Sequence, residues 1–242
     1  MPNEPSPTEQ RQDIAQALIR AGVSLVPGGG AINELLNLVI VPAVAERQRR
    51  WLEALDHELG RLRERMEGFS FEDLQRREDF ASAFLRASRI AATTHREEKL
   101  EALRNAVLNV AVGNAPDDDL QVVFLSLIEA YTPWHLRLLA FMDDPSRWAN
   151  ERDAAKSLHL GAHHLTYDRI FEGVFSGLKG RRRFYDQVLS VLERDALITV
   201  VPAGATVHVG ANGECKIGFH RILTPEGREF LSFVTAPDAI SG

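Results

Sequence analysis

The sequence predicts a mainly α protein, in which an N-terminal helical bundle precedes a winged-helix-like domain with a small β-hairpin. Apolar residues recur at three- and four-residue steps through residues 43–67 and again through residues 182–194, as on the buried face of a helix. Runs that alternate apolar with polar residues follow at 198–200 and 207–209, and turn residues separate them. This order of a helix, a hairpin and a closing helix outlines a winged helix-turn-helix.

Length and composition set the predicted domain organisation. A chain of 242 residues can bury a sizeable core and favours two domains. Its only cysteine, Cys215, excludes an intramolecular disulfide and indicates a reducing, cytoplasmic compartment, and the opening MPNEPSPTEQ is not a signal peptide. We predict a tail at residues 1–12, an all-α domain at 13–157, a winged-helix-like domain at 158–236 and a tail at 237–242.

Residues 14–45 are the most apolar part of the chain, and the PGGG motif at residues 27–30 divides them into two segments. Each segment is shorter than the ~20 apolar residues that cross a bilayer as a helix. In one interpretation, two helices and a glycine-rich turn lie buried at the centre of the bundle. In the alternative, this hairpin inserts into membranes through Val23, Leu25, Leu36, Val39 and Ile40.

The helix predicted at residues 43–67 carries one apolar stripe. Packing within the bundle explains the stripe better than a coiled coil, because only about two heptads are present. The stripe consists of Leu52, Leu55, Leu59, Leu62 and Met66.

Polar residues at expected helix starts predict the later boundaries. Ser70 opens one helix, and Asp117 is the predicted N-cap of another. Thr94 is followed three residues later by Glu97, which predicts a capping box. Gly113 is a typical residue just past a helix end.

The C-terminal hairpin is predicted to return along residues 216–223. Thr224, Pro225 and Glu226 then supply an N-cap, a proline at the first helical position and an acid in the first turn. These residues predict a closing helix that packs back onto the core.

Residues with catalytic or metal-binding chemistry form no recognisable site. His159 and His163 would share a face if they were helical, but Gly161 lies between them, and neither an HExxH glutamate nor a zinc-spaced cysteine accompanies them or His164. The sequence has no GxSxG elbow and no kinase, Walker or dinucleotide motif. We therefore predict a protein that is not an enzyme and that has no metal or cofactor.

The best candidate binding site is a basic cluster at the start of the helix predicted at 182–194. It consists of Lys179, Arg181, Arg182 and Arg183. Basic residues at a helix N-terminus are disfavoured by the helix dipole, so their clustering suggests nucleic-acid or partner binding. A solvated helix start is the other interpretation, because residues 151–242 carry 11 basic and 11 acidic residues, a net charge of zero.

Two segments resemble a family of uncharacterised bacterial proteins in which an all-α region precedes a degenerate winged helix. They are VSLVPGGGAINELLNLVIVPAVAERQRRWLEAL, and FSGLKGRRRFYDQVLSVLERDALI with RILTPEGREFLSFV. The resemblance covers most of the chain from about Ile14 onward, and its motifs are structural. It implies a bacterial cytoplasmic protein associated with accessory or defence genes, and it supplies no active-site residue.

The predicted function is that of a non-enzymatic regulatory or interaction protein. Its helical region would sense a signal or form a homodimer, and its winged helix would bind nucleic acid or a protein partner. The alternative is a membrane-acting effector, for example in bacterial defence, that uses the apolar hairpin.

Overall fold

The computed structural model describes residues 41–158, 161–199, 204–218 and 222–237. Most of the predicted apolar hairpin therefore lies outside the described residues. This includes all of its candidate membrane-inserting residues, which are Val23, Leu25, Leu36, Val39 and Ile40. Their predicted burial stays a prediction.

The protein is mainly helical, with one small sheet, as the sequence predicts. The helices before the sheet pack into a bundle. They are α1 (Val41–Arg65), α2 (Phe71–Leu74), α3 (Glu78–Thr93), α4 (Glu97–Ala111), α5 (Asp118–Ala130), α6 (Pro133–Asp143), α7 (Pro145–Glu151) and α8 (Ala155–Leu158). Among the residues that the structure describes, no helix has both the length and the hydropathy needed to cross a bilayer.

Helix α4 lies at the centre of the bundle. It packs against α1, α3, α5 and α6, and its residues 105–111 are buried without exception. The predicted stripe of α1 faces this core: Leu55 and Leu62 are buried, and Leu52, Leu59 and Met66 pack against the core with part of their surface exposed. The packing of α1 within the bundle is thus confirmed.

Most predicted helix boundaries are confirmed by their capping contacts. Ser70 accepts a hydrogen bond from the Asp73 amide at 3.3 Å, and Asp117 accepts one from the Leu120 amide at 3.0 Å. Gly113 has a φ of +75°, as expected just past a helix end.

The capping box predicted at Thr94 and Glu97 is wrong. Helix α4 begins at Glu97 with Arg96 as its N-cap residue. The Thr94 hydroxyl accepts instead from the Arg96 amide at 3.2 Å, which closes a shorter turn two residues along. A capping box forms at Thr132 and His135, ahead of α6.

The C-terminal region surrounds a three-stranded antiparallel sheet in the order β1-β2-β3. In the register, Thr166 pairs with Gly204, and Val207 pairs with both His163 and Ile217. Its elements are β1 (Gly161–Thr166), α9 (Tyr167–Val174), a 3-10 turn (Ser176–Leu178), α10 (Arg182–Arg194), β2 (Gly204–Val209), β3 (Cys215–Gly218) and α11 (Pro225–Val234).

The sequence predicts α10 and α11 correctly but misses β1. Thr224 caps α11 by accepting from the Gly227 amide at 2.8 Å. The hairpin base is paired, because the Thr199 amide donates to the Ile222 carbonyl at 2.7 Å. Strand β1 was not predicted, since its hydrogen-bonding partner lies about forty residues further along the chain.

A single hydrophobic cluster runs from Trp51 in α1 to Phe233 in α11. Phe124 of α5 meets Phe230 of α11 edge to face, with ring centroids 5.2 Å apart. The predicted boundary between residues 157 and 158 falls in α8, and the apolar core continues across it. The division into two domains stays a prediction.

Candidate nucleic-acid interface

The basic cluster lies where the 3-10 turn leads into α10, and all four of its side chains are exposed. Gly180 lies inside the cluster with a φ of +69°, a conformation that glycine adopts at little cost. Its amide donates to the Glu172 carboxylate at 3.1 Å. This bond holds the turn in place, so Lys179 and Arg181 are presented from an anchored backbone.

Arg182 is held in a network with α9. Its guanidinium lies 2.6 Å from Asp168 and 3.5 Å from Asp186. The other Asp168 oxygen accepts from the buried Tyr185 hydroxyl at 2.9 Å, and burial together with this hydrogen bond raises the pKa of that hydroxyl. Arg182 therefore has a local structural partner, although its side chain remains 67% exposed.

Three of the four basic side chains form no ion pair in the described part of the chain. They are Lys179, Arg181 and Arg183. Three cations thus face outward, whereas the compensating carboxylates of Asp168 and Asp186 lie on the Arg182 side.

Arg181 begins an arginine–aromatic cluster that joins α10 to α6. Its guanidinium carbon lies 4.3 Å from the centre of the Phe184 ring. Phe184 meets Trp134 edge to face at 6.5 Å, and the Arg137 guanidinium lies 5.2 Å from the Trp134 ring. We call these four residues, Arg181, Phe184, Trp134 and Arg137, the arginine–aromatic cluster.

The arrangement of the cluster favours binding of anions. A guanidinium that lies over a ring is held in one orientation, and its outward N–H groups stay available to acceptors. Arg137 also forms an ion pair with Glu98, so its guanidinium already has a carboxylate partner, whereas that of Arg181 has none in the described part of the chain. The two guanidinium groups and the half-buried rings form one chain of contacts, and Lys179 and Arg183 are close to Arg181 in the sequence.

Sequence reasoning found Arg181 but missed Arg137, Trp134 and Phe184. A local signal was present, because each arginine lies three residues from its ring on or beside a helix, and such pairs share a face. The meeting of Phe184 with Trp134 had no such signal, since fifty positions separate the two residues in the sequence.

Of the three histidines considered in the sequence, His163 and His164 lie in β1, and His159 lies outside the described residues. No group of three or more histidine, cysteine, aspartate or glutamate residues in the described ranges could hold a metal ion. Cys215 is buried, and this burial raises the pKa of its thiol.

Comparison of the sequence with protein-family models found no match, and comparisons with curated proteins and with solved structures found none either.

Proposed function

We propose that this is a non-enzymatic, cytoplasmic interaction protein that binds nucleic acid through the surface around the start of α10. The single observation that carries the proposal is the placement of three outward cations, Lys179, Arg181 and Arg183, beside the arginine–aromatic cluster. Phosphate contacts from such cations supply the sequence-independent part of nucleic-acid affinity.

The order of elements supports a degenerate winged helix as the framework. Strand β1 is followed by α9 and α10, and the hairpin of β2 and β3 comes next. In helix-turn-helix proteins the N-terminal end of the second helix approaches the nucleic acid. In this chain that end is the N-terminus of α10, which carries the basic cluster.

Each part of the surface has a distinct role in the proposal. Lys179 and Arg183 would contact phosphates as mobile charges. Arg181 and Arg137 would donate from fixed guanidinium planes, on which an unpaired base can also stack. Arg182 would position the helix through Asp168 and contribute less to binding.

The test is fluorescence anisotropy with labelled duplex and single-stranded oligonucleotides over a range of salt concentrations. The double variant Arg181→Ala/Arg183→Ala should weaken binding to all sequences and flatten the logarithmic salt slope for duplex by up to about two. The matched control is Arg76→Ala/Arg89→Ala, which removes the same charge from exposed side chains in the helical region.

Two results would overturn the proposal. The parent protein could show no salt-dependent binding to either form of nucleic acid. The two double variants could also weaken binding equally, which would locate the contact elsewhere. Binding of an acidic protein instead of nucleic acid would point to protein recognition. The mixed charges of Arg182, Asp168 and Asp186 would then be part of that interface.

The membrane-acting alternative depends on the apolar residues 14–45 and is tested separately. Co-sedimentation with liposomes measures membrane binding, and dye release from them measures leakage. Both are done over a range of anionic lipid content. Absence of both binding and leakage would exclude this alternative.

A further inference from the structure

A second basic site lies in the helical region, in a cleft between α1 and the start of α4. The cleft has a volume of about 310 Å³. This is at the lower end of the range of small-molecule sites, which enclose roughly 300–1,000 Å³. Its charged lining consists of Arg47, Arg50, Arg104 and Glu97, with His95 at the turn before α4.

The walls of the cleft are fixed to each other. Trp51 of α1 lines the cleft, is 3% exposed and donates from its ring nitrogen to the Leu100 carbonyl of α4 at 2.9 Å. Arg47 donates to the Ala92 carbonyl in the last turn of α3 at 3.3 Å. These two bonds join three helices around the cleft and hold Trp51 and Arg47 in its wall before any ligand arrives.

The positive charge of the cleft is incompletely neutralised. Within the described residues, neither Arg47 nor Arg104 pairs with a carboxylate. Arg50 forms an ion pair with Glu46 at 2.7 Å, and its side chain is 71% exposed. With the charge of Arg50 balanced by Glu46, Arg47 and Arg104 against Glu97 still leave the lining positive.

We infer that this cleft binds a small anion that carries phosphate groups. Guanidinium groups are the side chains best suited to phosphate, because their N–H donors match its oxygens in pairs. Three of them around one concave space favour an anion with more than one phosphate group. The concave shape selects a small molecule over the extended backbone of a nucleic acid.

The experiment is isothermal titration calorimetry of the full chain with pyrophosphate, inorganic phosphate and succinate. Pyrophosphate should bind most tightly, because it can engage two or three arginines at once. Succinate is also an anion with two charged ends, but its ends are planar carboxylates instead of tetrahedral phosphate groups, so it should bind more weakly. A thermal-shift measurement with each anion gives an independent readout, since a ligand of the native state raises the melting temperature.

Two substitutions in the lining should act in opposite directions. Arg104→Gln should weaken pyrophosphate binding by about 10-fold or more, the effect of losing one charged hydrogen bond. Glu97→Gln removes the opposing carboxylate and should tighten binding several-fold. A purely structural role of these residues would not give this change of sign. Arg50→Gln is a second loss variant on an exposed side chain.

Controls separate this site from the surface at α10. Arg169→Gln, at an exposed position of α9, should leave pyrophosphate binding unchanged, and so should Arg181→Ala/Arg183→Ala. Conversely, Arg104→Gln should not alter binding to oligonucleotides. The inference is overturned if no saturable binding of pyrophosphate occurs, or if Arg104→Gln and Glu97→Gln both leave its affinity unchanged.

Discussion

The side-chain amide of Asn109, near the C-terminal end of α4, donates to the backbone carbonyl of Thr235 just past the end of α11 at 2.8 Å. The same nitrogen lies 3.0 Å from the Phe233 carbonyl and 3.1 Å from that of Ser232. Asn109 is completely buried. The two N–H groups of this side chain lie among the last carbonyls of α11 and can satisfy two acceptors at a time, which ties the C-terminal helix to α4.

Replacing Asn109 with alanine should destabilise the protein by about 3 kcal/mol, because buried carbonyls would lose their donor and a small cavity would form. The urea midpoint should fall while the m-value stays the same. Asn114→Ala is the comparison variant: Asn114 is exposed and only donates to the Asn109 side-chain oxygen at 3.4 Å, so its replacement leaves the carbonyls of α11 with their donor and should cost less. Equal effects of the two variants would contradict the tie between α4 and α11.

Two helical glycines should respond to alanine in opposite ways. A Cβ atom at Gly227 of α11 would lie 2.0 Å from the Leu197 carbonyl oxygen, so Gly227→Ala should cost more than about 3 kcal/mol. A Cβ at Gly60 of α1 would meet nothing within 4 Å, and Gly60→Ala should stabilise the protein by about 1 kcal/mol. Thermal melting measures both. Destabilisation by Gly60→Ala would contradict the open space around that position.

His135 should make stability fall as the solution is acidified. Burial lowers the pKa of His135 below its ordinary value of 6.5, and its Nδ1 accepts the Thr132 amide at 3.1 Å, which only an unprotonated Nδ1 can do. Below pH 6.5 the unfolded chain binds a proton that the folded chain does not. The contribution of His135 to the free energy of unfolding is therefore complete above pH 6.5. It is lost as the pH falls toward the lowered pKa that His135 has in the folded protein.

The measurement is the free energy of unfolding between pH 7.5 and the acid limit of the folded state, in steps of roughly half a unit. His135→Gln should flatten this dependence while lowering stability near neutral pH. His57→Gln, in which the lost side chain is 72% exposed, is the comparison variant. An unchanged acid slope in His135→Gln would show that other groups cause it.

Asn150 and Ser146 should prove important for the sheet. The Asn150 amide donates to the Cys215 carbonyl at 2.9 Å, and its oxygen accepts from the Cys215 amide at 2.7 Å. One turn earlier on α7, the Ser146 hydroxyl accepts from the Ile217 amide at 3.0 Å. Asn150→Ala should cost about 2 kcal/mol, because it removes two of these bonds.

Hydrogen exchange of the Cys215 and Ile217 amides checks this prediction. Asn150→Ala should speed exchange at Cys215 more than at Ile217, and Ser146→Ala should do the reverse. If both amides kept their protection in both variants, the side chains of α7 would not be the partners that protect them.

Much of the helical fold could be predicted from the sequence, because the residues that start, stop and orient a helix lie close to each other in the sequence. The caps at Ser70, Asp117 and Thr224 act over three residues, and the stripe of α1 repeats within single turns. Thr94 shows the limit of such reasoning. Its hydroxyl could accept from the Arg96 amide or from the Glu97 amide. The backbone between α3 and α4 brings the Arg96 amide within hydrogen-bonding distance.

The functional surfaces combine local and distant parts, and only the local parts could be predicted. The basic cluster is contiguous in the sequence and was identified from it. The cleft is lined by Arg47 and Arg104, which lie on different helices. Strand β1 pairs with β2, and no sequence pattern or residue spacing connects these two segments. Contacts of this kind follow from packing, which a single sequence read without relatives does not reveal.

The two side-chain partners on α7 also determine how the sheet can take part in assembly. Strand β3 is one of the two outer strands of the sheet, and an outer strand normally offers a row of free backbone groups to any extended peptide. Here the side chains of Asn150 and Ser146 form the hydrogen bonds with the Cys215 and Ile217 backbone that a fourth strand would form. A peptide that sought to extend the sheet at β3 would first have to displace a helix, so this edge is protected from the strand-by-strand growth that leads to aggregation.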